Sequence, residues 1–262
     1  WNACYADADG HTMLVFNGLV PKRKTGDWAY WSKIVPGDTS ETLWTAYLPF
    51  SELPKVIDPP SGFVQNANEP PWMTTSPTLD PSKYAPFVAP DNKQLASFRA
   101  KRSFRMANDD ASITYEELVA AKHSTRVELA EAVLDDLLTA ARESTSSAVK
   151  DAARVLDDWD RNVNADSRGA VLFWIFSTKF YGTGSDYDEK MRIKFDPADP
   201  VKTPAGIADP AAALVALEAA AEDCRRRFGS LDVRWGDVFR FSRGSLDLPA
   251  NGGFGRLGIF RT

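Results

Sequence analysis

The segment Ala170–Phe180 is apolar on nearly every side, and it constrains the fold more than any other feature of the sequence. A surface helix carries its apolar residues on one stripe, whereas a helix that is apolar all round has to be buried. The segment is too short to cross a bilayer, which takes about 20 residues of α-helix. It therefore predicts a central helix that other helices or a sheet must surround.

Amphipathic segments that can surround this helix lie on both sides of it. Thr114 and Glu117 have the spacing of a capping box, which predicts a helix start. Apolar stripes with helical period run from Val127 to Ala141 and from Val149 to Trp159. The stretch 209–229 begins with Asp and Pro and ends with Gly, as capped helices do. The middle of the chain is therefore predicted to be helical.

The two ends of the chain have the composition of strands and loops. The short apolar run Thr12–Phe16 follows an Asp-Gly turn and predicts one strand of a hairpin. Residues 73–92 are rich in proline and predict an extended loop. Residues 235–241 and 255–260 return to strand-like composition. We therefore predict an α+β fold.

This fold is expected to comprise three regions. Residues 1–92 form a strand and loop region, 93–230 a helical region, and 231–262 a return to sheet strands. The strands from both ends are expected to belong to one larger sheet structure beside which the helical region packs.

Composition excludes several functions. The net charge of -5 argues against a nucleic-acid-binding surface, and no apolar run is long enough for a membrane span. His11 and His123 have no Cys or His at metal-ligand spacing, so no metal site is predicted from them. Cys4 and Cys224 are too few for a disulfide framework, and we expect two separate thiols, although a pair is possible by number.

Two asparagines stand two residues apart behind the strand-like run Gly62–Asn66. If the extended backbone continues, Asn66 and Asn68 share one face, and the proline pair that follows ends the strand. Amides held at a strand end can bind a carbonyl or its oxyanion. The alternative is a turn in which Asn caps its own backbone. Local chemistry by itself favours the turn.

A resemblance to a known family changes that balance. In order along the chain, several segments are similar to motifs of the penicillin and acyl-homoserine-lactone acylases, which are N-terminal-nucleophile amide hydrolases. The likeness favours the acyl-homoserine-lactone and aculeacin acylase branch. The segments, besides the asparagine motif, are Tyr5–Gly10, Asn17–Arg23, Leu48–Val56, Ser97–Met106, Asp166–Ala170 and Pro249–Gly253.

The resemblance implies an αββα sandwich with a largely helical insertion, and catalysis by a Ser at the free amino terminus of the large (β) subunit. This chain begins with Trp1, which has no nucleophilic atom, and the amine of an internal Ser is tied up in a peptide bond. We therefore expect an internal piece of the large subunit. Its partners would be the small (α) subunit, the rest of the large subunit and an N-acyl amide substrate.

The resemblance also implies the site residues. The family's oxyanion-binding Asn falls on Asn68, and its active-site Arg falls on Arg99, expected to orient that Asn and the α-amino group. The alternative for Arg99 is a solvated basic helix face. Two roles are open for Phe63 and Trp72, namely an acyl pocket or core packing.

No cofactor is expected in catalysis, but relatives often bind structural calcium. Asp80, in the loop after the asparagine motif, is a loose candidate for one ligand. The family resemblance implies a periplasmic or secreted protein.

Two functions remain open at this stage. The first is a fragment of an amide hydrolase that cleaves an N-acyl amide such as an acyl-homoserine lactone, an acyl peptide or a β-lactam side chain. The second is a noncatalytic binding or assembly module on an acylase-like scaffold. The upstream sequence separates them, because the enzyme requires a Ser preceded by Gly near the start of the large subunit.

The 262-residue chain alone is expected not to hydrolyse penicillins or N-acyl-homoserine lactones, because it begins with Trp1 where the family uses Ser. The measurement is mass spectrometry of the purified chain after incubation with a chromogenic amide. Stoichiometric acyl transfer to the chain would refute the expectation.

Overall fold

The computed structural model describes residues 2–91, 97–183 and 187–260. They fall into two compact units. Unit 1 contains the described residues up to 91 together with Ser103–Ala111, and unit 2 contains Ser97–Arg102 and the described residues from Ser112 onward. The predicted boundary between 92 and 93 lies outside the described residues.

Unit 1 is built on a small antiparallel sheet. Its strands are β1 (Asn2–Ala6), β2 (Thr12–Phe16) and β3 (Lys55–Ile57), with β2 in the centre. β1 and β2 form the hairpin predicted from the sequence, and Gly10 supplies the positive φ of 90° that its turn needs. The central strand buries Leu14 and Val15.

The rest of unit 1 is mostly irregular and rich in proline. It contains the short helix α1 (Trp28–Trp31) and 3-10 turns. Trp72 is only 3% exposed, and its ring N–H donates to the carbonyl of Pro90. It packs in a cluster with Leu48, Leu53, Val88 and Ala89. Trp72 therefore has the core-packing role of the two that the sequence left open.

Helix α2 (Phe98–Asn108) has its residues divided between the two units. Unit 2 continues with α3 (Tyr115–Lys122), whose start shows the predicted capping box. The Thr114 hydroxyl accepts from the backbone N–H of Glu117, and the Glu117 carboxylate accepts from the backbone N–H of Thr114. Both hydrogen bonds satisfy donors that a helix start leaves open.

The predicted stripes of unit 2 form helices. Helix α6 (Ala170–Tyr181) is buried along most of its length and contacts α5 (Ser147–Asp157) and α7 (Pro210–Phe228), as its all-round apolar sequence predicted. The helices are α4 (Glu128–Arg142), α5 (Ser147–Asp157), α6 (Ala170–Tyr181), α7 (Pro210–Phe228) and α8 (Trp235–Val238). The strands form two hairpin-like sheets, β4 (Met191–Ile193) with β5 (Ala205–Ile207) and β6 (Arg240–Arg243) with β7 (Leu246–Pro249).

Of the two strand segments predicted near the C-terminus, 255–260 is wrong, and 235–241 is correct only for its last two residues, which begin β6. Residues 235–241 begin with helix α8, and 255–260 contain a 3-10 turn, Gly255–Leu257. The reason is packing from distant parts of the chain. Trp235 is 1% exposed, its backbone N–H donates to Ser167, and its ring N–H donates to Gly252. These contacts fix Trp235 in the core without a strand ladder.

Within the described residues, strands from the two ends of the chain lie in different sheets. The structure is thus a mixture of helix and sheet, and the single larger sheet structure predicted from the sequence stays a prediction. In the same residues, no helix is both long and apolar enough to cross a membrane.

Gly169, which precedes α6, provides a test of this packing. Its φ is 91°, and an added Cβ would lie 2.8 Å from the Cβ of Trp159. Gly229, which follows α7, also has a positive φ, of 76°, but an added Cβ there meets nothing within 4 Å. We expect Gly229→Ala to lower the free energy of unfolding by about 1–2 kcal/mol, the cost of a left-handed backbone. Gly169→Ala should cost about 1–3 kcal/mol more, because of the clash.

The measurement is urea denaturation of the 262-residue chain and both variants. Equal losses in the two variants would show that Trp159 moves aside at no cost.

Candidate functional site

The asparagine motif lies in unit 1 and forms an ordered loop, so the predicted strand Gly62–Asn66 is wrong. Gly62 has a φ of 75° and Asn68 a φ of 68°, and both values break an extended backbone. The backbone N–H of Gln65 donates to Thr74 at 2.9 Å, which folds the segment back on itself. The two asparagines consequently do not share a strand face.

Asn66 fills the turn role that the sequence offered as the alternative. Its side-chain oxygen accepts from the backbone N–H of Asn68 at 3.0 Å and from the side-chain amide of Asn2, on β1, at 2.9 Å. Its own amide N–H donates to the backbone carbonyl of Glu69 at 3.2 Å. This is an Asx turn that also ties the loop to the sheet.

Glu69 is buried under the loop, at 6% exposure. One carboxylate oxygen accepts from the backbone N–H of Ala67 at 2.6 Å. The other accepts from the side-chain amide of Gln65 at 2.9 Å, and that amide also donates to the carbonyl of Met73. Both oxygens of the carboxylate therefore hold the loop from beneath.

Asn68 stands at the tip of this loop and is exposed. It lines a groove of about 620 Å³ in unit 1. Four polar residues form one part of the groove wall, and the rest is mainly apolar. The polar residues are Asn2, Asn66, Asn68 and Glu69, and the others are Cys4, Phe16, Trp28, Pro70, Ala89 and Pro90. An amide with two N–H donors on an apolar wall can bind a carbonyl oxygen of an otherwise apolar ligand.

The groove wall includes the large indole side chain of Trp28 and the thiol of Cys4. Trp28 opens helix α1, and its backbone N–H donates to the carbonyl of Pro86 at 2.8 Å, which anchors the start of the helix. Cys4 lies on β1. Burial, and then the negative charge of Glu69, raise the pKa of the Cys4 thiol. The thiol is thus a poor nucleophile at neutral pH.

Arg99 lies on α2 in unit 2, whereas Asn68 belongs to unit 1. It is partly buried, and its side chain approaches Gly255, since a Cβ added there would lie 3.2 Å from Nε of Arg99. Its expected role toward Asn68 stays a prediction. The alternative role for Arg99 was a solvated basic face of helix α2. Lys101 on the same helix is only 1% exposed and donates to the carbonyl of Pro204, so the basic residues of α2 are only partly solvated.

The wall of the groove differs from the one expected from the sequence. Phe63 and Trp72 are not among its lining residues; the Phe63 ring packs edge-on against Phe104, with centroids 5.6 Å apart. Asn2, Cys4 and Trp28 were missed because only the fold brings them to the motif. Glu69 could have been noticed, because an acid directly after Asn68 is close enough to bond the turn.

The candidate calcium ligand has a local structural role. The Asp80 carboxylate caps a 3-10 turn, accepting from the backbone N–H of Ser82 at 3.0 Å and from its hydroxyl at 2.7 Å. These hydrogen bonds lower the pKa of Asp80. Among the described residues, no group of three His, Cys, Asp or Glu side chains could hold a metal ion. Calcium binding stays a prediction.

Both cysteines are free thiols. Cys224 is buried in α7, and its thiol donates to the carbonyl of Ser230 at 3.2 Å. Burial raises the pKa of Cys224 to about 11. The expectation of two separate thiols is confirmed.

Sequence comparison finds curated acylases that are similar to this chain over nearly its whole length. It is 28% identical to the acyl-homoserine lactone acylase PvdQ of Pseudomonas syringae pv. syringae, over 99% of this chain and 36% of that protein. It is 27% identical to the aculeacin-A acylase of Actinoplanes utahensis, again over 99% of this chain and 36% of that protein. The chain thus spans 36% of the length of these curated relatives.

Structural comparison agrees on the fold. A thermostable penicillin G acylase from Alcaligenes faecalis superposes with a TM-score of 0.56 at 16% sequence identity, covering 87% of this chain and 47% of that one. At this identity the likeness shows the fold alone.

The penicillin amidase family model matches residues 1–261, nearly the whole chain. The family resemblance inferred from the motifs is therefore confirmed. The chain belongs to the penicillin amidase family.

Proposed function

We propose that this chain is part of the large subunit of an amide hydrolase that removes the acyl group from an N-acyl amide. The observation that carries the proposal is the exposed Asn68 at the tip of a hydrogen-bonded loop, facing a groove with a largely apolar wall. The nucleophile is a terminal Ser supplied by a part of the enzyme outside this chain. The acylase names of the relatives support the reaction type.

In this proposal the Asn68 amide stabilises the tetrahedral intermediate. When the nucleophile attacks the substrate carbonyl, its oxygen becomes negatively charged, and a prepositioned N–H donor lowers the energy of that state. One such donor contributes about 2.7–4 kcal/mol to transition-state stabilisation. The apolar wall around Phe16 and Trp28 would contact the hydrophobic part of the substrate, which suits a fatty-acyl or aromatic acyl group.

The substrates are N-acyl amides such as an acyl-homoserine lactone, an acyl peptide or a β-lactam side chain. The small subunit and the remainder of the large subunit complete the site. Within the family, the names of the relatives favour the branch of acyl-homoserine-lactone and aculeacin acylases.

In the complete, processed enzyme, Asn68→Ala is expected to lower kcat by on the order of 10²–10³, because it removes one oxyanion donor. Asn66→Ala should lower kcat less, since the Asn66 amide holds the turn and is bonded to Asn2, Asn68 and Glu69. Steady-state kinetics on a chromogenic N-acyl anilide measure both, once self-cleavage of each variant has been verified.

The matched control is Asn68→Gly. Asn68 has a φ of 68°, which glycine adopts without strain and alanine does not. If kcat falls equally in the Gly and Ala variants, the lost amide is responsible, and backbone strain is not. Near-normal kcat in processed Asn68→Gly would refute the oxyanion role, and a loss confined to Asn66→Ala would move that role to the first asparagine.

Modification of Cys4 tests whether substrate occupies the groove. Because burial and Glu69 raise the pKa of this thiol, labelling by a bulky maleimide should become faster as the pH rises toward that pKa. The labelled enzyme should show a raised KM, since the added group fills part of the groove.

The control is Cys4→Ser, which should bind substrate normally and be insensitive to the reagent. Equal sensitivity of the Ser variant would place the effect at another thiol. A fully labelled enzyme with unchanged KM would show that substrate lies elsewhere.

A further inference from the structure

We infer that Glu69 is the positioning residue for Asn68, acting through the loop that carries the oxyanion amide. This inference rests on the proposed function. Glu69 directly follows Asn68, is 6% exposed, and has both carboxylate oxygens engaged by donors of the same loop. A catalytic amide contributes fully only when its direction is fixed before the reaction begins.

The hydrogen bonds form a closed chain around Asn68. The Glu69 carboxylate accepts from the backbone N–H of Ala67 at 2.6 Å, and the Glu69 carbonyl accepts from the Asn66 side chain at 3.2 Å. The Asn66 side chain in turn accepts from the backbone N–H of Asn68 at 3.0 Å. Residues on both sides of Asn68 are therefore fixed by Glu69, which accounts for the stable positive φ of Asn68.

The charge of Glu69 does not explain this arrangement. A carboxylate close to a developing oxyanion repels it, so charge alone would slow the reaction. Two acceptor oxygens facing two donors do explain it, because a carboxylate has only acceptors. The benefit of Glu69 is therefore geometric.

A neutral isostere, introduced by Glu69→Gln, cannot reproduce these bonds. If the oxygen of the new side chain accepts from Ala67, its NH2 group faces the NH2 group of Gln65. The Gln65 amide can flip to present its oxygen, which has no partner in the described structure, but that oxygen then faces the carbonyl of Met73. In each of these two orientations of the Gln65 amide, a buried donor faces a donor or a buried acceptor faces an acceptor. The loop therefore has to shift.

The experiment is a double-mutant cycle in the complete, processed enzyme, with a fatty-acyl p-nitroanilide as the probe. Glu69→Gln is expected to lower kcat by about 10- to 100-fold with little change in KM, because the amide is displaced and the groove remains. In the Asn68→Gly background, Glu69→Gln should cause no further loss. Glu52→Gln, the same change at an exposed position of unit 1, should leave kcat unchanged.

Other outcomes would overturn the inference. A normal kcat in Glu69→Gln, or losses that multiply in the double variant, would show that Glu69 does not act through Asn68. A normal kcat in Asn68→Gly would instead refute the proposed function, and this inference with it. The two failures are therefore distinguishable.

A second variant covers the case in which Glu69→Gln does not mature. Gln65→Met keeps the volume and removes the amide that donates to one carboxylate oxygen and to the carbonyl of Met73, while the carboxylate itself stays in place. It should lower kcat less than Glu69→Gln is expected to, and again not at all in the Asn68→Gly background. Unchanged kcat in Gln65→Met would then refute the positioning role.

Discussion

The candidate site depends on the hydrogen bonds made by the side-chain amide of Asn66. This amide joins strand β1 through Asn2 to the loop that carries Asn68 and Glu69. An amide is suited to this position because it both donates and accepts, so one side chain can satisfy three neighbours. The sheet, the turn and the exposed Asn68 are thereby connected by hydrogen bonds, and together they form the polar part of the groove wall.

Much of the helical fold could be predicted from the sequence, because its signals are local. Each helix signal lies within a few turns of the helix that it predicts. Examples are the capping box at Thr114, the apolar stripe from Val127 to Ala141 and the all-round apolar segment Ala170–Phe180. The errors fell where distant contacts override local preference. Residues 62–66 resemble a strand, yet the positive φ of Gly62 and the hydrogen bond from the backbone N–H of Gln65 to the carbonyl of Thr74 produce a loop. Trp235 resembles a strand residue and is fixed in the core by Ser167 and Gly252.

The candidate site could be predicted only in part, for the same reason. The family resemblance selected Asn68, whereas local chemistry favoured a turn; the structure gives the turn to Asn66 and leaves Asn68 on the groove. The remaining wall comes from β1, β2, α1 and loop residues, and no sequence pattern connects Cys4 or Trp28 with the motif. The role of Arg99 stays a prediction, since Asn68, which it is expected to orient, lies in the other unit.

Strand β1 has a consequence for handling the protein. It lies at the edge of its sheet in the described part of the chain, most of its residues are exposed, and its sequence contains no charged residue or proline. Natural edge strands commonly carry such residues to prevent pairing with other chains. The outer row of backbone N–H and C=O groups on β1 is therefore a template for strand addition. The isolated chain should tend to self-associate through this edge at high concentration, and a Lys in place of Ala3 would oppose it.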